Sequence, residues 1–293
     1  MKAVRSVLFV PGHKADWILK ALASQADAII IDLEDSVPEA SKADARINAR
    51  EAIQANNTDK TVLVRPNALD TQHFGKDIES VAVSGLTALL LPKLFSRDDM
   101  IRFDALVTAA EILNGVERGS IELVPTLETA ASVNKVDELL DAPRVGGVMA
   151  AAAKDADISR EVGFSWTEEG FETLYLRSKV VVAARSAGIQ CILLGLWQDV
   201  HNLDGMRRFA QANSGLGYSG QVLIHPSHAE IANEEYGLSE KQADYYRRLI
   251  AAFEAGVAVG NGAVSFEGDH IDLAHANNAR DLLIQSGQSL ESN

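Results

Sequence analysis

The sequence predicts a (β/α)8 TIM barrel, an α/β fold, followed by a C-terminal extension. Three observations lead there. Eight short apolar runs recur along the chain, each rich in Leu or β-branched residues and each lacking polar–apolar alternation. That is the pattern of parallel strands buried on both faces. Helical patterns fill the intervals between runs, which is the βα repeat of a barrel. The Gly-rich first turn of a doubly wound open sheet, the nearest rival, is absent.

In chain order, the runs are SVLFV (6–10), AIIIDL (28–33), TVLVRP (61–66), ALLLP (88–92), IELVP (121–125), GGVMA (146–150), CILLGL (191–196) and QVLIH (221–225). WILKALASQA, SKADARINAREAIQA, TLYLRSKVVVAARSAG and LDGMRRFAQANSG read as helices between them, and Gly188 stands where a helix C-cap is expected. Past the eighth run, a helix is expected near 239–258 and another near 274–286, with the Gly-containing segment VGNGAVSFEGDHID between them. That is too much chain for one closing helix. The division expected is a barrel over 1–235 and an extension over 236–293 that covers a barrel mouth or reaches a neighbouring subunit. The tail SGQSLESN is expected to fray.

Composition narrows the function. The chain has 293 residues and 47% hydrophobic content, enough for a packed core. No run of about 18 apolar residues occurs, so no membrane span is expected. The start MKAVRSVLFVPGHKAD has too short an apolar run, and no cleavage site, for a signal peptide, so a cytoplasmic protein is expected. A single cysteine, Cys191, excludes an internal disulfide framework, and its apolar surroundings suit burial as a small hydrophobe. The net charge of −14 argues against nucleic-acid binding, though a local basic pocket for an anionic substrate remains open.

Barrel chemistry gathers at the carboxyl ends of the strands, and polar groups stand at nearly every end. Glu128 follows the fifth run, and Asp155 and Asp157 follow the sixth. Two carboxylates from two strand ends, completed by water and substrate oxygens, are a usual way to hold Mg²⁺. The spacing does not choose between Asp155 and Asp157, and Glu128 alternatively caps the helix beginning at Thr129. Arg65 ends the third run, where a guanidinium binds a carboxylate in two-pronged fashion or forms a structural ion pair with Asp32, Glu34 or Asp35. Those three acids read either as groups orienting metal-bound water or as a charged loop neutralising Arg5 or Arg65. Lys93 after the fourth run reads as a substrate or outer contact; a Schiff-base role has no specific support in LPKL. His225 after the eighth run reads as structural or cofactor-facing rather than catalytic.

At these residues the chain resembles the citrate lyase β-subunit-like proteins of the HpcH/HpaI aldolase superfamily. The matching stretches are RSVLFVPG (5–12), DAIIIDLEDSV (27–37), VRPNALDT (64–71), LPK (91–93), LETAASV (127–133), SKVVVAARSAG (178–188), GYSGQVLIHPSH (217–228) and LIAAFEAGVAVGNGAVSFEGDHID (249–272). The resemblance implies a Mg²⁺-dependent carbon–carbon lyase, usually trimeric or hexameric, on a barrel. Its substrates would be 3-hydroxyacyl thioesters of CoA or an acyl carrier, such as malyl-, citramalyl- or citryl-CoA, released as acetyl-thioester and a 2-oxo acid. By position, Glu128 matches the family's glutamate ligand and Arg65 the arginine that binds the oxo-acid carboxylate. Arg5 matches an arginine near the same pocket. Asp272 matches a catalytic acid on a C-terminal lid that enters a neighbouring subunit's site.

The sixth strand departs from the family's Gly-Ala-Glu-Asp. Counting back from Gly163 puts the second ligand at Asp157, preceded by Lys154, Asp155 and Ala156, so a lysine replaces a glycine and an alanine a glutamate. Lys154 there would bind a substrate carboxylate or compete with the cation. In the seventh run Ile192-Leu193 stands where the family has Ile-Asp. These changes leave two alternatives to the thioester lyase: a non-catalytic relative that binds a metabolite or partner protein, and a class II aldolase acting on free 2-oxo acids.

Overall fold

In the computed structural model, which describes residues 1–286, 288 and 289, the eight apolar runs form a closed barrel of eight parallel strands in sequential order. They are β1 (Ser6–Pro11), β2 (Ala28–Asp32), β3 (Thr61–Arg65), β4 (Ala88–Leu91), β5 (Glu122–Leu127), β6 (Gly147–Ala150), β7 (Cys191–Leu194) and β8 (Gly220–Leu223). The helices that cover them are α1 (Ala15–Leu22), α2 (Lys42–Ala55), α3 (Phe74–Val81), α4 (Arg97–Leu113), α5 (Ala130–Asn134), α6 (Val136–Leu140), α7 (Asp157–Val162), α8 (Leu174–Ser186), α9 (Leu203–Leu216) and α10 (Ala229–Glu235).

The missing alternation in the strands has a direct cause. Successive side chains point to opposite faces, and here both faces are buried. One set fills the barrel interior: Val7, Ile30, Leu63, Leu90, Val124, Met149, Leu193 and Val222. The other packs outward against the helices: Leu8, Ile29, Val62, Leu89, Leu123, Val148 and Ile192. Cys191 belongs to the interior set; it is fully buried, and desolvation pushes its thiol up to about 12. It behaves as a small hydrophobe.

The covering helices follow their sequence signals. In α2 the buried positions are Lys42, Ala45, Ala49 and Ile53, the three- and four-residue spacing of one helix face. Helix α8 ends at Ser186, and Gly188 beyond it takes φ 75°, with its N–H on the Arg185 carbonyl, as a left-handed helix terminator does.

The chain divides into two compact units, Met1–Tyr236 and Gly237–Asn293. The second contains α11 (Glu240–Ala258), capped by Ser239 and Gln242, then β9 (Ala263–Phe266), β10 (Asp269–Asp272) and α12 (Leu273–Gln285). Its core joins Leu249, Phe253, Ile271, Ala276, Ala279 and Leu283. The antiparallel hairpin β9–β10 was not expected from the sequence. Its signal was the Glu267-Gly268 pair, whose φ values of 50° and 99° make the tight two-residue turn that hairpins favour. The expected fraying of SGQSLESN falls mostly outside the described residues.

Barrel closure requires β1 to lie against β8. A Cβ added at Gly220 would stand 2.0 Å from the Val4 carbonyl oxygen, so Gly220→Ala forces the closing strands apart. This variant is expected to lose about 3 kcal/mol of stability or more, read as a lower urea midpoint.

Candidate active site

Strand parity decides what faces the barrel mouth. Two residues beyond each interior position, the same face carries Phe9 on β1, Asp32 on β2, Arg65 on β3 and Thr126 on β5, with Glu128 two further on. Asp32 and Arg65 are register partners on adjacent strands. The guanidinium grips Asp32 by its side edge, Nε to Oδ1 at 2.7 Å and Nη2 to Oδ2 at 2.8 Å, while Nη1 lies 3.2 Å from Glu34 Oε2. The Phe9 ring lies 4.8 Å from the guanidinium carbon, a cation–π contact. Burial alone would pull the Arg65 pKa down, but Asp32 and Glu34 outweigh it and the net shift is upward. Burial likewise pushes Asp32 up, yet Arg65, Ser36 and the Glu34 N–H hold it below the ordinary carboxylate range. Asp32 is therefore a fixed anion.

The acids of DLEDSV divide their work. Glu34 is buried, and its carboxyl is raised by that burial although Arg65 and Lys93 pull it back. Lys93 Nζ lies 3.0 Å from Glu34 and 3.7 Å from Asp35, which is itself exposed. Arg5 departs from expectation. It precedes β1 at the amino end of the barrel, where it forks onto Asp27 and reaches the Asn233 carbonyl. That places it at the end opposite the mouth, away from Arg65. An interior-facing parity cannot carry a side chain that lies before the strand begins.

A supporting network went unread in the sequence. Lys42 is buried and donates to the Leu33 and Glu34 carbonyls and to Asn67 Oδ1, at 2.7, 2.8 and 2.7 Å. Asn67 donates in turn to the Leu33 carbonyl and to Asp77, and Asp77 also accepts from Arg46. These contacts clamp the loop carrying Glu34 and Asp35 to the loop after β3. The available signal was Lys42 itself, a lysine on the same helix face as Ala45, Ala49 and Ile53.

Glu128 does not cap α5. Thr129 does, accepting the Ser132 N–H. Glu128 Oε1 instead accepts the Lys93 backbone N–H at 2.7 Å. Its carboxyl is pushed up to about 7, chiefly by burial and further by the charges of Glu34 and Asp157, against the pull of Lys93 N–H and Arg65. Asp157 opens α7 and pairs with Arg160. Asp155, two residues earlier, is exposed and takes φ 54°.

A desolvated carboxylate facing a second carboxylate calls for a cation. The Thr126 hydroxyl, buried two positions below Glu128 on the same face, has no hydrogen-bond partner among the described residues. It suits a water of a hydrated ion. Among the described residues, no group of three or more His, Cys, Asp or Glu encloses a metal. A hard divalent cation here would thus take two carboxylates and complete its shell with water and substrate oxygens. The residues fit such an ion.

Beside this acidic half lies an apolar one. A cavity of about 510 Å³ opens between β1, α1 and the end of β8, lined by Phe9, Pro11, Trp17, Leu196, Ile224 and His225, with Asp32 and Arg65 at its polar side. His225 Nδ1 is 2.7 Å from Ser227 Oγ, so the ring both tethers the turn Pro226–His228 and walls the cavity. Lys154 is exposed on the loop after β6 and makes no ion pair among the described residues. In the second unit, Asp272 caps α12. Its Oδ1 accepts from the Ala274 and His275 N–H groups and lies 2.7 Å from His275 Nδ1. The His275 contact leads in holding this carboxyl below its ordinary range.

A family model described as HpcH/HpaI aldolase/citrate lyase matches residues 5–226. Citrate lyase subunit beta of Escherichia coli K12 is 32% identical, over 95% of this chain and 92% of that one. An L-malyl-CoA/beta-methylmalyl-CoA lyase of Cereibacter sphaeroides is 33% identical, over 96% of this chain and 94% of that one. Among solved structures, CitE of Mycobacterium tuberculosis in complex with magnesium, acetoacetate and coenzyme A superposes with a TM-score of 0.77 at 27% identity, covering 98% of this chain and 99% of that chain.

Two outcomes follow from this geometry. Glu128 holds a proton below about pH 7, and a cation requires it gone, so divalent-ion affinity should climb as pH rises through 7 and level off above. Calorimetry in buffers of different ionisation enthalpy should show proton release at pH 6 and little at pH 8. In the metal-free protein the folded state binds more protons than the unfolded between about 4.5 and 7, so this group's contribution to stability falls as pH rises across that window. Glu128→Gln should flatten that slope. Separately, Lys42→Met removes three hydrogen bonds and leaves Asn67 Oδ1 unpaired, because the Leu33 and Glu34 carbonyls keep Asn67 and Val37 as donors; it should cost about 1–3 kcal/mol in urea unfolding.

Proposed function

This chain belongs to the HpcH/HpaI aldolase/citrate lyase family and is a lyase, and from that premise we propose that it cleaves a 3-hydroxyacyl-CoA thioester into an acetyl-thioester and a 2-oxo acid. Related CitE holds magnesium and coenzyme A together, which supports a Mg²⁺-dependent lyase acting on a CoA substrate. The observation that carries the finer reading is the joining of two halves in one mouth. One half has desolvated carboxylates and a guanidinium suited to a metal and a small oxo acid. The other is an apolar cavity suited to the acyl-thioester arm.

Glu128 and Asp157 would hold Mg²⁺, which would supply Lewis-acid polarisation of the oxygen on the carbon where the C–C bond breaks. Arg65 binds the carboxylate of the oxo acid. A guanidinium has five N–H donors; Asp32 accepts two of them, and Glu34 meets Nη1 at 3.2 Å as an ion pair, so donors on Nη1 and Nη2 are left for substrate. The ion pair and the substrate contact therefore coexist, and Asp32 fixes the plane in which Arg65 meets its ligand. Glu34 and Asp35 hold Lys93 beside the site, and His225 with Phe9 lines the path for the thioester. In the cleavage direction a base, which solvent water can serve as, takes the hydroxyl proton, the C–C electron pair passes to the thioester carbonyl as an enolate, and the enolate carbon takes a proton from the acid form of Asp272, which then regains one from solvent. Asp272 of a neighbouring copy is the group for that proton exchange. Its contacts all fall on Oδ1, which leaves Oδ2 open. Held low, it stands as the carboxylate, the form that takes a proton from the acetyl methyl group in condensation. On this reading the protein works as a homo-oligomer, for which the family resemblance implies a trimer or hexamer.

The test is cleavage of malyl-, citramalyl- and citryl-CoA with and without Mg²⁺. Activity should vanish on chelation, and Glu128→Ala should lower kcat by about 10³-fold. Turnover that survives both changes overturns the scheme. Lys154 and Ala156, where the family has glycine and glutamate, favour a second reading as a non-catalytic metabolite-binding relative. That reading predicts no turnover on any of the three thioesters alongside measurable calorimetric binding of a 2-oxo acid.

A further inference from the structure

Lys93 joins features that its expected role as a substrate contact does not explain. It follows β4 and Pro92 with φ 52°, a left-handed conformation that side chains other than glycine and asparagine rarely adopt. Such strain persists where the surrounding structure over-determines it, and it gathers at functional sites. The effect of the turn is specific: it aims the backbone N–H at Glu128 Oε1 at 2.7 Å. The side chain leaves in another direction, to Glu34 at 3.0 Å and Asp35 at 3.7 Å. Backbone and ammonium therefore serve different acids.

We propose that Lys93 is a positioning residue for the divalent cation, acting through its backbone N–H. A half-buried carboxylate on a glutamate side chain turns freely about its last bond unless one oxygen is held. The left-handed turn holds Oε1, fixes the plane of the carboxylate, and leaves Oε2 as the oxygen offered to the ion. The ammonium acts separately, as a counter-charge on Glu34 and Asp35. It opposes a dication by like-charge repulsion, so the backbone contact and the side chain pull Mg²⁺ affinity in opposite directions. This inference rests on Glu128 being a cation ligand.

The experiment is Mg²⁺ calorimetry on the full chain without substrate, comparing wild type with Lys93→Gly, Lys93→Asn, Lys93→Ala and Lys93→Val. All four variants lack the ammonium; they differ in tolerance of positive φ. The Gly and Asn variants should bind Mg²⁺ as tightly as wild type or more tightly. The Ala variant should bind less tightly than those two, and the Val variant should be weaker than the Gly variant by about tenfold or more. A merely structural lysine would not produce that order, and rescue by asparagine would mark the backbone as the cause. Equal affinities across the four variants overturn the inference while leaving the metal site standing. If the Val variant fails to fold, the Gly and Asn variants against Ala decide the same question. Glu128→Gln is the control: Mg²⁺ binding unchanged by it, or absent from wild type, overturns both this inference and the reading of the site beneath it.

Discussion

The pair of Arg65 and Asp32 is the contact on which the mouth of this barrel depends. Both sit at the carboxyl ends of adjacent strands, opposite one another in register, on the face that points inward. Inside a desolvated mouth a lone charge of either kind would be expelled or neutralised, and losing one partner of such a pair costs about 3–5 kcal/mol. The pair thereby holds a guanidinium at a position that burial alone would forbid. Its reach extends further: Arg65 also meets Glu34, Glu34 meets Lys93, and the Lys93 N–H meets Glu128. A continuous line of contacts thus runs from β2 to the end of β5. The Lys42–Asn67–Asp77 clamp stiffens its start.

The mouth is electrostatically unfinished by protein groups alone. Asp32 is stabilised as an anion, while Glu34 and Glu128 are pushed toward the neutral form by burial. Carboxyl groups so placed are strained in opposite senses, which is the arrangement that a divalent cation relieves. The apolar cavity on the β1–β8 side shares Asp32 and Arg65 as its polar edge. A substrate with a carboxylate at one end and a long, weakly polar arm at the other would span the two halves without leaving a buried charge unpaired.

The second unit carries its own core of Leu249, Phe253, Ile271 and Leu283 and presents Asp272 at the start of a helix. The same carboxylate that caps the helix is the one proposed to exchange a proton. These roles are compatible because they use different oxygens. The cap fixes where the carboxylate stands, and the free oxygen retains its chemistry.

Much of this was legible in the chain. Eight unalternating apolar runs determined the barrel, because a strand buried on both faces has no polar face to show. Parity then carried Asp32, Arg65 and Glu128 to the mouth, since each lies an even number of residues beyond an interior side chain. Arg5 and Lys42 escaped such reasoning for opposite reasons. Arg5 lies next to a strand's beginning, where motif order says nothing about which end of the barrel it faces. Lys42 looks like a solvated helix lysine until two loops fold over it. The sequence by itself determined the strands, their order, and which residue types stood at their ends. Only the tertiary structure decided which charges meet. Pairing depends on the register between strands and on loop conformations such as the left-handed turn at Lys93, and neither is written in any local run of residues.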